Sequence, residues 1–113
     1  MMELKDKIEE FTVVKGNIPK SLKIQFKVFC VQKNAEMSEI LEILIRQWIQ
    51  AGAPVPQLHS NLLKEELEEI KGYIPKNLKY QFKIICKHKK VTMRSVLYGL
   101  ITQWVEMGGS IES

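Results

Sequence analysis

Apolar and polar residues change spacing in a set order along the chain, and the order then repeats. Val14, Gly16 and Ile18 alternate with Val13, Lys15 and Asn17, the period of a strand with one face buried. Ile70, Gly72 and Ile74 alternate in the same way with Glu69, Lys71 and Tyr73. Pro19 and Pro75 close these runs, each at a helix start, where a missing N–H is tolerated. The spacing then becomes helical. Leu22, Phe26, Phe29 and Cys30 form one stripe of a helix predicted over residues 20–33, and Lys20, Lys23 and Lys27 form another. Leu78, Phe82, Ile85 and Cys86 repeat the apolar stripe beside Lys76, Lys79 and Lys83. After the breaks "NAE" and "KVT", second helices are predicted over residues 37–50 and 93–107. Their core stripes are Leu41, Leu44, Ile45 and Trp48, matched by Leu97, Leu100, Ile101 and Trp104, and Gly52 and Gly108 suit the C-terminal stops.

A shift of 56 positions lays residues 14–52 on residues 70–108 without a gap, and about half of the aligned positions are identical. One such unit leaves a strand unpaired and two apolar stripes uncovered, at a length near the lower limit for independent folding. Two units resolve this. Their strands pair antiparallel, and their helices share a core beneath, related as the halves of an isologous dimer. The expected fold is therefore mostly α with a short two-stranded antiparallel ribbon, the two repeats forming one intramolecular pseudo-twofold unit. Residues 1–53 comprise an acidic arm and the first repeat, with its core at 12–52. Residues 54–68 form a linker opened by Pro54 and Pro56, in which Ser60 or Asn61 caps a short acidic helix over 62–68. Residues 69–113 hold the second repeat, with its core at 69–108. Residues 2–10 resemble that acidic helix, so each repeat carries an acidic preface.

Composition narrows the classes. The 113 residues suit one domain, and 45% are hydrophobic, enough for a packed core. No apolar run approaches the roughly 20 residues needed to cross a bilayer, and the N-terminal stretch mixes charges without an apolar segment, so neither a membrane span nor a secretory signal is expected. Two cysteines without C-x-x-C spacing suggest a reduced, cytoplasmic setting. Cys30 and Cys86 fall on core stripes and read as small buried hydrophobes. His59 and His88 have no partner cluster, so no metal site and no cofactor is expected. No nucleophile–base or carboxylate pair suggests an enzyme. Trp48 and Trp104 recur at core spacing and read as packing, and Gly16 and Gly72 as points of close helix approach.

Charge adds more. The net charge is +4, and residues 11–35 and 70–105 contain no acid. These windows hold Lys15, Lys20, Lys23, Lys27 and Lys33, then Lys71, Lys76, Lys79, Lys83, Lys87, Lys89, Lys90 and Arg94. Such segregation is the electrostatic footprint of a nucleic-acid partner, with a merely solvated basic face as the plain alternative.

The alternating strand ending in "IP", the first helix with Leu22 and Phe26, and the second-helix entries "NAEMSEIL" and "KVTMRSVL" together resemble the ribbon-helix-helix family of Arc-, MetJ- and CopG-type repressors. The resemblance covers both repeats and implies a dimer written into one chain. It implies a ribbon in the DNA major groove, with Lys15, Asn17, Lys71 and Tyr73 at the base-reading positions. Lysine donates to guanine and asparagine pairs with adenine, while Tyr73 can meet a base edge, a thymine methyl or a phosphate. Glu69 either accepts from cytosine or points away. Phosphate contacts are implied at Lys20 and Lys76, and at the second-helix starts, Ser38 in one repeat and Thr92, Met93 and Arg94 in the other. Glu36 stands where Thr92 stands, and an anion there opposes a phosphate. Asn17 against Tyr73 implies an asymmetric binding site. The function implied is a sequence-specific double-stranded-DNA-binding transcription regulator, a repressor, cytoplasmic and nucleoid-associated when bound. The alternative is a protein-interaction module, antitoxin-like or a plasmid-maintenance component, which Glu36 and Glu69 favour. Ile24, Val28, Val31, Tyr80 and Ile84 lie off the core stripes. They are either half-buried or a surface joining such units side by side on adjacent sites.

Overall fold

The computed structural model describes residues 10–55 and 66–110. In chain order the elements are β1 (Phe11–Pro19), α1 (Lys20–Gln32), α2 (Met37–Gln50), β2 (Leu67–Pro75), α3 (Lys76–Lys89) and α4 (Met93–Glu106). The described residues are thus mostly helical, with four helices and one two-stranded sheet. None of these helices is long and apolar enough to cross a membrane.

The strands pair antiparallel with Lys15 opposite Lys71 at the centre. Val13 faces Tyr73 on one side and Asn17 faces Glu69 on the other, and the pairing ends at Phe11–Pro75 and Pro19–Leu67. Both strands are longer than the alternation alone predicts. Leu67 and Glu68, which read as the end of an acidic helix, instead open β2 opposite Pro19 and Ile18. Ladder bonds to β1 outweigh the modest helix preference of a Leu/Glu run, a tertiary override of local propensity. Glu66, just before Leu67, is not helical either, while residues 62–65 of that expected helix, its capping residues, His59 and the arm at 1–9 lie outside the described residues.

Strand passes into helix without a loop. The Lys20 N–H donates to the Glu66 carbonyl at 3.1 Å, and the Lys76 N–H donates to the Glu10 carbonyl at 2.8 Å. Each helix start is thereby tied to the residue before the opposite strand. An isolated two-stranded ribbon is marginal in water, so its inner face needs cover. Val14, Ile18, Ile70 and Ile74 point inward and are buried in one cluster with side chains from all four helices.

That core is built by exchange between repeats. Phe26 on α1 meets Trp104 on α4 edge-to-face at 5.4 Å, and Phe82 on α3 meets Trp48 on α2 at 5.6 Å. Gly16 on β1 lies under Leu97 of α4, and Gly72 on β2 lies under Leu41 and Ser38 of α2. Either repeat alone would therefore expose the surfaces that the other covers. Gly52 and Gly108 end α2 and α4 at φ +92° and +75°, where glycine carries no Cβ penalty. The Ala53 N–H returns to the Trp48 carbonyl at 2.8 Å, and the Gly109 N–H returns to the Trp104 carbonyl at 2.9 Å. Both cysteines are free and buried, and burial pushes each thiol up to about 11.

Candidate nucleic-acid interface

The pleat sends alternate residues of each strand away from the helices. Lys15, Asn17, Lys71 and Tyr73 are all exposed, while Val14, Gly16, Ile18, Ile70, Gly72 and Ile74 are buried. The four residues expected to read bases thus share one outward face. Glu69 joins them, opposite Asn17, and half-buried Val13 lies opposite Tyr73. Phe11 and Leu67 extend the exposed face at its two ends, at 54% and 56% exposure.

The centre of this face is electrostatically unfavourable by itself. Directly opposed cross-strand residues have Cβ atoms about 4.5–5.5 Å apart, and like charges there are destabilising. Lys15 and Lys71 form such a pair. Glu69 offers partial compensation, its carboxylate lying 3.9 Å from the Lys15 ammonium with both side chains 53% exposed. An exposed pair at that separation contributes little. An anionic partner over the ribbon would relieve the repulsion more effectively.

Lys20 and Lys76 sit just beyond Pro19 and Pro75, hence at opposite ends of the ribbon, and both are exposed. Lys76 also pairs with Glu10 at 3.2 Å. One turn further on, Lys79 donates to the Val13 carbonyl at 2.9 Å and so covers the outer edge of β1. Its repeat equivalent, Lys23, lies 3.7 Å from Glu68. Lys23, Lys27, Met37 and Lys71 line a shallow groove beside β2, along with Glu68, Glu69 and Ile70. Sequence reasoning put Lys23 and Lys79 only on a basic stripe. Their spacing, one turn after Lys20 and Lys76, was the available signal for an edge role.

The two second-helix starts differ in chemistry. At α2 the Ser38 hydroxyl accepts a bond from the Tyr73 N–H at 2.8 Å, which ties that end of the helix to β2. Glu36 and Glu39 form a capping box there, the Glu39 carboxylate accepting the Glu36 N–H at 2.9 Å. Two carboxylates therefore flank the place where Ser38 was expected to meet phosphate, although the bond its oxygen accepts from the ribbon leaves its O–H able to donate. At α4 the Thr92 hydroxyl accepts the Ser95 N–H at 3.0 Å, and the Ser95 hydroxyl donates to the Thr92 carbonyl at 2.9 Å. Thr92 and Arg94 are exposed and Met93 is half-buried, and no acid lies in that first turn. Of the two starts, only that of α4 suits an anion.

Elsewhere the surface carries apolar residues on the first helices. Ile24, Val28 and Val31 on α1 and Tyr80 and Ile84 on α3 are all exposed. Among the described residues no group of three or more His, Cys, Asp or Glu could hold a metal ion. Comparison with known proteins adds no relative: no family model, no curated protein and no solved structure matches the chain.

Proposed function

We propose that the chain is a sequence-specific double-stranded-DNA-binding transcription regulator of ribbon-helix-helix type, acting as a repressor and built as two repeats that form a pseudo-dimer within one polypeptide. The observation that carries this reading is the pair Lys15 and Lys71, repeat equivalents set face to face at the middle of an exposed ribbon. That register makes the two halves of the ribbon equivalent in backbone and sets two like charges side by side on an exposed face, which favours an anionic partner there. A two-stranded ribbon has the width to enter the B-DNA major groove. On this reading Lys15, Asn17, Lys71 and Tyr73 approach base edges, Lys20 and Lys76 steady the flanking phosphates, and Thr92, Met93 and Arg94 hold a phosphate at the start of α4. Phosphate contacts supply affinity and salt dependence, and the ribbon supplies sequence choice.

Selection from random duplex DNA followed by salt titration tests the reading. A defined motif is expected, with log affinity falling against log salt at a slope of about −4 to −5 if roughly five phosphates are neutralised. A flat salt response, or no duplex selected, would sink it. The capping box of Glu36 and Glu39 and the exposed Ile24, Val28, Tyr80 and Ile84 favour a second reading, a module that binds another protein. The same apolar residues would serve copies bound side by side on DNA.

A further inference from the structure

The outward face of the ribbon is not chemically even. On one side of the central lysines Asn17 is opposite Glu69, an amide beside a carboxylate. On the other side Val13 is opposite Tyr73, and exposed apolar residues lie beyond both pairs, Phe11 at this end and Leu67 at the other, so the contrast rests on the two inner pairs. Every group at the first pair hydrogen-bonds, whereas the second presents mainly hydrocarbon, with Tyr73 54% exposed. Glu69 is held over the face, not behind it, since its carboxylate lies 3.9 Å from Lys15.

Major-groove chemistry gives these halves different complements. A carboxylate only accepts, so it suits the exocyclic amino groups of cytosine and adenine and is repelled by guanine O6 and thymine O4. An asparagine amide pairs bidentately with adenine. Aromatic and aliphatic surface suits the thymine methyl group. The surroundings point the same way, because the α2 start beside Tyr73 carries Glu36 and Glu39 and offers no phosphate clamp on that side.

We infer that the ribbon reads DNA with a fixed polarity, Asn17 and Glu69 selecting a half-site rich in exocyclic amino groups and Val13 and Tyr73 selecting a half-site of thymine methyls, with the lysines between. This rests on the DNA-binding reading above. Glu69 thereby becomes a specificity residue that works as much by rejection as by contact.

The test uses the full chain and its selected duplex, with Kd read by fluorescence anisotropy at one salt concentration. Each thymine is replaced in turn by deoxyuridine, which removes only the methyl group, and each adenine by purine deoxyriboside, which removes only the amino group. Loss of a methyl is expected to weaken binding roughly 3–5-fold on one half-site alone. Loss of an amino group is expected to weaken it roughly 5–100-fold on the other half alone. Tyr73→Ala should erase the methyl effect and leave the amino effect. Glu69→Gln should leave the methyl effect and relax discrimination against guanine and thymine on the amino half. Both residues are exposed, and unchanged thermal unfolding of each variant confirms that its fold is intact. A motif symmetric about its centre, methyl effects on both halves, or a methyl effect that survives Tyr73→Ala overturns the polarity while salt-dependent binding to a defined motif still stands. Absence of any salt-dependent duplex binding overturns the inference and the DNA-binding reading together.

Discussion

Replacing Gly72 with alanine puts a methyl carbon 2.9 Å from Leu41 Cδ1 and 3.1 Å from both the Cα and the hydroxyl of Ser38. The leucine tip can rotate, but Ser38 Cα is backbone of α2, and its side chain is tied to the Tyr73 N–H at 2.8 Å. The first turn of α2 must therefore retreat by a few tenths of an ångström, loosening that bond and the fully buried Leu41. Overpacking of this kind costs about 1–3 kcal/mol. The stiffer unfolded chain returns about 0.4–1 kcal/mol, since neither ribbon glycine has left-handed φ. The net expectation is a loss of roughly 1–2 kcal/mol. Gly16 is the internal control. A methyl carbon there meets Leu97 at 3.5 and 3.7 Å and Ile70 at 3.7 Å, which is ordinary contact. Gly16→Ala should then be neutral or stabilising by about 0.5 kcal/mol. For a domain of this size 1 kcal/mol shifts Tm by roughly 4–8 °C, so the two variants should separate by about 4–20 °C in thermal unfolding. Urea unfolding followed by the fluorescence of the buried tryptophans gives an independent measure. Equal effects at the two glycines, or a larger loss at Gly16, would refute the claim that α2 packs more tightly on the ribbon than α4.

The remaining predictions use other differences between repeat equivalents. The Trp48 indole N–H donates to the Pro54 carbonyl at 2.8 Å, whereas that of Trp104 is buried with no partner among the described residues. Trp48→Phe should destabilise more than Trp104→Phe by about 1–2 kcal/mol in urea unfolding, because one change breaks a bond and the other removes an unsatisfied donor. Raised thiol pKa values predict that Cys30 and Cys86 resist an alkylating reagent at pH 8 in the native state and react once urea unfolds the chain. The same shifts set a sign for pH. Below the ordinary thiol value of 9.0 both states keep the proton and stability is unaffected, and between 9.0 and about 11 only the unfolded thiols ionise, so stability falls as pH rises through that window. On the DNA-binding reading, Lys15→Ala and Lys71→Ala should reduce discrimination between duplexes, while Lys76→Ala should weaken all sequences by a similar factor and make the salt slope less steep by about 1.

Much of the fold was legible because it depends on short-range pattern and on the repeat. Alternation through Ile18 and Ile74 marks the buried strand face, and the prolines mark where helix begins. Antiparallel pairing of two copies must bring some pair of equivalents face to face, but which pair it is, Lys15 with Lys71, comes only from the structure. What was not legible depends on residues distant in the chain. Leu67 and Glu68 look helical until β1 offers them a ladder. The lysine windows look free of acid, yet pairing brings Glu68 to Lys23, Glu69 to Lys15 and Glu10 to Lys76. The basic footprint is therefore weaker in space than along the sequence, and its exposed centre matters more than its total. Ser38 was read as a phosphate ligand because of its place in the helix, and only the packed structure shows its oxygen turned to Tyr73.

The contrast between core and surface explains where the two repeats are free to differ. Ile18 and Ile74, Phe26 and Phe82, Leu41 and Leu97, and Ile45 and Ile101 are each fully buried at 0% exposure and identical within each pair. Each helps to cover the other repeat, so truncation of either phenylalanine should cost about 3–5 kcal/mol and disturb both halves. Exposed positions carry no such coupling and typically change stability by less than about 0.5 kcal/mol. Asn17 with Tyr73, Glu36 with Thr92 and Ser38 with Arg94 differ in charge, size or hydrogen bonding, and all three lie on the ribbon or beside it. A homodimer could not separate these pairs, since one gene copy would impose the same residue on both halves. On the pseudo-dimer reading, placing both repeats in one chain removes that constraint, and the core differs only by conservative exchanges such as Val14 with Ile70 and Ile40 with Val96. If the chain is the DNA-binding pseudo-dimer proposed above, differences on the ribbon and at the starts of α2 and α4 are what a fused pair can gain and an identical pair cannot, and they are the reason to look for a directional binding site before a palindromic one.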